Sequence, residues 1–109
     1  MKLHKRILGE GIPVVILHGL FGSSDNWQTF GRMLSEHGCK VIMADLRNHG
    51  LSPHSDELNF EVLADDVKEL FDDEKLTSAF IIGHSLGGKT AMQFAFNNPE
   101  RISGLIVVD

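Results

Sequence analysis

The apolar residues of this chain gather into four short, unbroken runs at residues 13–17 (PVVIL), 41–44 (VIMA), 79–82 (AFII) and 105–108 (LIVV). None alternates with polar positions. Continuous, largely β-branched runs of this length suit strands covered on both faces, as in a parallel sheet with helices above and below. The intervening segments carry the helical period. After the first run, Ser23, Ser24 and Asp25 offer N-cap side chains, Trp27, Phe30 and Leu34 recur at helical spacing, and Gly38 fits the stop. After the second, Phe60, Leu63, Ala64, Val67, Leu70 and Phe71 trace an apolar stripe behind Asn59 as N-cap. Glu61, Asp65, Asp66, Lys68 and Glu69 are expected on its solvated face rather than as a metal cluster, since no histidine or cysteine joins them at ligand spacing. The third helix runs from the glycine-rich GHSLGGKT segment through Ala91, Met92, Phe94, Ala95 and Phe96 to Asn97-Asn98-Pro99. Residues 46–58 (LRNHGLSPHSDEL) read as a long loop over the C-terminal ends of the strands.

Composition narrows the partners. A chain of 109 residues, 42% hydrophobic and 23% charged, makes at most one globular domain. Its net charge of -5 and the lack of any basic run argue against nucleic acid or an anionic membrane surface, and favour small molecules. No secretory leader or bilayer-length apolar stretch is legible, so the cytoplasm is the expected location. The single Cys39 opens an apolar run and reads as a small buried hydrophobe.

The chemistry concentrates at two glycine-rich turns. Gly83-His84-Ser85-Leu86-Gly87 is G-x-S-x-G, lying directly after an apolar run and directly before a helical pattern. A strand turning so sharply into a helix strains the serine backbone, admits only small neighbours, and presents the hydroxyl above the sheet. A bare match would equally describe a serine N-cap; the strand-turn-helix setting favours a nucleophile, with the N–H of Leu86 as an oxyanion donor. His18-Gly19-Leu20-Phe21-Gly22 follows another apolar run, and either Leu20 or Phe21 offers a second N–H there, Leu20 being preferred. Two rival readings are a P-loop, because Gly83 to Thr90 also fits G-x-x-x-x-G-K-T and Asp109 ends an apolar run, and a binding module without chemistry.

With these motifs the sequence resembles the α/β-hydrolase fold family, and within it the small esterase group of YbfF type. The matching stretches are 17–27 (LHGLFGSSDNW), 44–53 (ADLRNHGLSP), 83–92 (GHSLGGKTAM) and 105–109 (LIVVD). The resemblance covers nearly the whole chain but only the first half of that family's domain. It implies a partial α/β-hydrolase fold: a mostly parallel sheet whose four runs are the family's strands 3 to 6, ordered 4-3-5-6, with the first helix on one face and the next two on the other. Both glycine-rich turns would open into one crevice. Ser85 would attack a carboxylic ester or thioester and pass through an acyl-enzyme. No metal or organic cofactor is implied, and Ser85 rather than an aspartate at the elbow favours acyl transfer over epoxide or carbon–halogen hydrolysis.

The same resemblance exposes a gap. The family's base is a histidine after its last strand, whereas His4, His18, His37, His49, His54 and His84 all come earlier. His18 and His84 are expected to be structural, and neither His49 nor His54 on the long loop is expected to be the base. Asp109 stands where some members place the triad acid, but a plain strand-end aspartate is the preferred reading. Residues 1–109 are therefore expected to be the N-terminal part of one hydrolase domain, leaving LIVV as an uncovered edge, and to show little turnover without the C-terminal half. Trp27 is expected in the core, Lys89 in solvent and Thr90 packed or bonded back within its helix, and the resemblance implies that Asp45, Arg47 and Ser52 pin the long loop.

Overall fold

A computed structural model describes residues 1–109. Four strands match the apolar runs, each somewhat longer than its run: β2 (Ile12–Leu17), β3 (Cys39–Ala44), β4 (Ala79–His84) and β5 (Ile102–Val108). A further strand, β1 (Lys5–Leu8), lies antiparallel to β3 at the sheet edge, in the order β1-β3-β2-β4-β5. Every other pairing is parallel, with Val15 registered against Ile42 on one side and Ile81 on the other. The order of the four parallel strands is the one the resemblance implies. The chain leaves β2 for one side and returns to β4 on the other, so the strands' C-terminal ends flank a topological switch point.

The helices are α1 (Gln28–Ser35), α2 (Phe60–Asp73) and α3 (Leu86–Asn97). The first is shorter than its sequence pattern suggests: Ser23 caps a 3-10 turn over Ser24–Trp27, and α1 follows from it. On this side of the sheet Val14, Ile16, Val41, Met43 and Ile82 form a small core with Trp27 and Leu34 packed against it. The larger core lies on the other side, where Val15, Leu17, Ile42 and Ile81 meet Leu63, Val67 and Phe71 of α2 and Phe94 of α3. The rings of Phe71 and Phe94 lie 4.6 Å apart, locking α2 to α3. Successive strand residues thus enter different cores, which is why the runs show no polar alternation. At the β5 edge, Leu105, Ile106, Val107 and Val108 are exposed.

Two expectations are corrected. Asp66 is not on the solvated face of α2: it is 1% exposed and takes a bidentate ion pair from Arg47, at 2.7 and 2.9 Å. Its position explains this, because 63, 66, 67 and 70 follow the i, i+3, i+4, i+7 spacing of the buried stripe. Cys39 is half-buried rather than enclosed, since it starts β3 at the rim of the smaller core. Lys89 is exposed, and the Thr90 hydroxyl donates to the Leu86 carbonyl at 2.9 Å.

Candidate active site

Between the last residue of β4, His84, and the first of α3, Leu86, stands only Ser85. Its backbone lies at φ 53°, ψ -112°, a conformation disfavoured for any residue with a side chain. It is held there by sheet and helix together: its N–H donates to the Val108 carbonyl at 2.9 Å, and its carbonyl accepts the Lys89 N–H at 3.0 Å. The hydroxyl makes no capping bond and the residue is exposed. The bend closes because its neighbours lack side chains. A Cβ on Gly83 would lie 2.5 Å from the Gly87 carbonyl oxygen, and one on Gly87 would run into the carbonyl oxygens of Leu17 and His18. No multi-residue loop remains here to wrap phosphates, because Gly83 and His84 belong to β4 while Leu86 to Thr90 belong to α3. The first N–H groups of α3, including that of Leu86, have no partner within the helix.

The second turn sits against the first. The Gly22 N–H closes it onto the Gly19 carbonyl at 3.0 Å, and Phe21 takes a left-handed φ of 63° while 91% exposed. Neither the Leu20 nor the Phe21 N–H donates a hydrogen bond within the chain. Gly19 abuts the preceding residue of the serine turn so closely that a Cβ would stand 2.7 Å from His84 Nδ1. Residues of both turns line one cavity, as expected of a shared crevice, and Ser85 itself borders a second hollow. A cavity of about 590 Å³ is lined by Gly19, Leu20, Phe21, Asn26, Trp27 and His84, with Val108 at its edge. Ser85 borders a smaller one of about 250 Å³ with Lys89, Met92 and Asp109, and Val108 lines both. Trp27 accordingly serves twice, packing on the smaller core and walling the larger cavity, 6.2 Å from the His84 ring.

No side chain hydrogen-bonds the Ser85 hydroxyl. His18 is fully buried with both ring nitrogens engaged: Nδ1 meets the Gly19 carbonyl at 2.7 Å and Nε2 accepts the Leu46 N–H at 3.0 Å. Burial pushes its pKa down from 6.5, helped by the neighbouring His49 ring, and outweighs the Gly19 carbonyl and Asp45, which favour the charged form. His49 is turned to the Arg47 carbonyl at 2.8 Å, and His37 to the Met33 carbonyl at 2.8 Å. His54 and Asp109 are exposed.

The long loop is irregular throughout, as its composition suggests, yet firmly tied. Asp45 accepts the N–H groups of Ser24 and Leu51, at 2.7 and 3.0 Å. Burial alone would raise its pKa, but those two N–H groups, together with the nearby Ser24 hydroxyl and His4, outweigh burial and hold it below the usual carboxylate value. The Ser52 hydroxyl donates to the Asp45 carbonyl and accepts the His4 N–H, and Arg47 adds a bond to the Glu57 carbonyl at 2.8 Å. A Cβ on Gly50 would meet the Asp45 carboxylate at 2.5 Å, so the loop needs glycine where its φ is +50°. The resemblance implied Asp45, Arg47 and Ser52, while the bonding partners Asp66 and Ser24 and the close approach at Gly50 were missed.

The model of the alpha/beta hydrolase fold family matches residues 12–109. The chain belongs to the α/β-hydrolase fold family. Among its relatives, the sn-1-specific diacylglycerol lipase ABHD11 of Xenopus laevis is 45% identical over 100 residues, which are 91% of this chain and 32% of that protein. Esterase YbfF of Escherichia coli is 39% identical over 98 residues, 89% of this chain and 38% of that one. A solved marine microorganism esterase superposes with a TM-score of 0.96 at 45% identity, covering 98% of this chain and 41% of its own. The chain therefore spans well under half of each of these α/β hydrolases. No group of three or more His, Cys, Asp or Glu side chains comes together as a metal site, and no helix is long and apolar enough to cross a membrane.

Proposed function

We propose that this α/β hydrolase cleaves carboxylic esters or thioesters of small molecules through an acyl-enzyme on Ser85. The observation that carries the reading is the strained turn that lifts an uncapped hydroxyl to the surface at the N-terminus of α3. Ser85 Oγ attacks the acyl carbonyl, and the carbonyl oxygen gains charge beside the unpartnered N–H groups of Leu86 and Leu20. A base takes the serine proton and returns it to the leaving alcohol or thiol; water then repeats the attack and releases the acid. That base is proposed to be a histidine outside residues 1–109, a reading supported by the engagement of His18 and His49 with backbone groups. In the same reading, residues 1–109 form the N-terminal part of a single hydrolase domain. Support for the ester class comes from relatives described as esterase and lipase, together with serine at the elbow.

The test is steady-state hydrolysis of p-nitrophenyl esters of two to eight carbons by the protein at its full natural length. Ser85→Ala is expected to lower kcat at least about a thousandfold. Unchanged turnover in that variant rejects the acyl-enzyme. Magnesium-nucleotide binding lost in Lys89→Ala would favour a P-loop, and a folded protein with neither behaviour would favour a binding module.

A further inference from the structure

The Gly19 carbonyl oxygen is gripped from two sides, by the Gly22 N–H at 3.0 Å and by His18 Nδ1 at 2.7 Å. That oxygen and the Leu20 N–H belong to the same peptide group. A trans peptide is a rigid plane whose C=O and N–H point in opposite directions, so fixing the oxygen fixes the direction of the N–H. Like that of Phe21, the Leu20 N–H has no partner in the chain, and it alone shares the gripped peptide.

The rest of the imidazole is equally constrained. Leu46 N–H can only donate and meets Nε2 at 3.0 Å, whereas the Gly19 carbonyl can only accept. The ring is therefore neutral, with its proton on Nδ1. It bridges the turn after β2 to the segment after β3, and that segment is itself anchored: the His49 ring packs 5.0 Å from His18, and Asp45 takes the Ser24 N–H at 2.7 Å. The Gly22 N–H bond ties this peptide only to its own turn; the His18 bond ties it to the buried ring and, through Leu46, to the segment after β3.

We propose that His18 is a positioning residue, which aims the Leu20 N–H at the developing oxyanion by holding the Gly19–Leu20 peptide through its Nδ1 proton. This rests on the proposed function. His18 does not touch the substrate; it acts through the backbone of the turn.

Two substitutions separate its two bonds. His18→Asn places an amide near the Nδ1 position and keeps the grip on Gly19, whereas His18→Gln places one near Nε2 and keeps only the bond to Leu46. In ester hydrolysis by the full natural-length protein, His18→Gln is expected to lower kcat about 10- to 100-fold with KM within about twofold. That is less than the loss of an entire oxyanion donor. His18→Asn is expected to retain kcat within about fivefold. Equal losses, the reverse order, or a loss confined to KM would overturn the inference while leaving the proposed function intact. Absence of wild-type hydrolysis would overturn both. Nitrogen-15 NMR of the wild type at neutral pH provides a check that needs no variant to fold: a His18 ring protonated on Nε2, or on both nitrogens, contradicts the assignment.

Discussion

Replacing Ser85 with glycine should stabilise the protein while removing its proposed nucleophile. At φ 53°, ψ -112° the serine occupies backbone space that costs a residue bearing a Cβ about 1–3 kcal/mol. Glycine escapes that strain but loses about 0.5–1 kcal/mol more backbone entropy on folding than alanine does. The difference spans about 0–2.5 kcal/mol and predicts a gain of about 1 kcal/mol for Ser85→Gly. Ser85→Ala is the control. It keeps the Cβ and its strain, and the deleted hydroxyl makes no capping bond, so its stability should stay within about 0.5 kcal/mol of wild type. Urea unfolding reads the difference directly. With a slope of about 1–3 kcal/mol per molar, a gain of about 1 kcal/mol moves the midpoint up by about 0.3–1 M at constant slope. A Ser85→Gly protein no more stable than Ser85→Ala would refute the claim that strain is stored at this turn.

Other consequences are local and separately measurable. Asp66→Ala strands the Arg47 guanidinium, only 7% exposed, without its counterion, and should cost about 3–5 kcal/mol in urea unfolding; the double replacement Arg47→Met, Asp66→Leu should recover much of that loss. Because burial holds the folded His18 pKa below 6.5, the unfolded chain binds the extra proton first as pH falls. Its contribution to stability is complete above about pH 6.5 and declines below it by at most about 1.4 kcal/mol per pH unit, down to the folded pKa; unfolding midpoints across this range should lose that slope in His18→Gln. Gly87→Ala drives a Cβ into the carbonyl oxygens of Leu17 and His18, backbone atoms that cannot swing aside, and should abolish ester hydrolysis or folding, as followed by turnover and circular dichroism.

The parallel sheet was legible because both its faces are covered, so each central strand announced itself as an unbroken apolar run. β1 was not, for the converse reason. Its four residues, KRIL, carry Lys5 and Arg6 on an edge strand, and an antiparallel neighbour of β3 needs no crossover helix to mark it. Asp66 shows residue type overriding spacing: its position belonged to the buried stripe, but a carboxylate among Glu61, Asp65 and Glu69 invites a solvated reading, and Arg47 lies 19 residues away in sequence. The serine turn could be read because its glycines are required by close backbone contacts, Gly83 with Gly87 inside the motif and Gly87 with the end of β2. The lining of both hollows by Val108 could not, since it depends on the register that sets Val108 of β5 beside His84 of β4. The double engagement of His18 is likewise tertiary, joining turns that follow different strands.

Ser85 is proposed as the reactive hydroxyl of an acyl-transfer site. A fluorophosphonate probe applied to the full natural-length protein, followed by digestion and mass spectrometry, tests it most directly. A single stoichiometric adduct is expected on the peptide bearing Ser85, absent after Ser85→Ala. Labelling of another residue, or none in a folded protein, would contradict it.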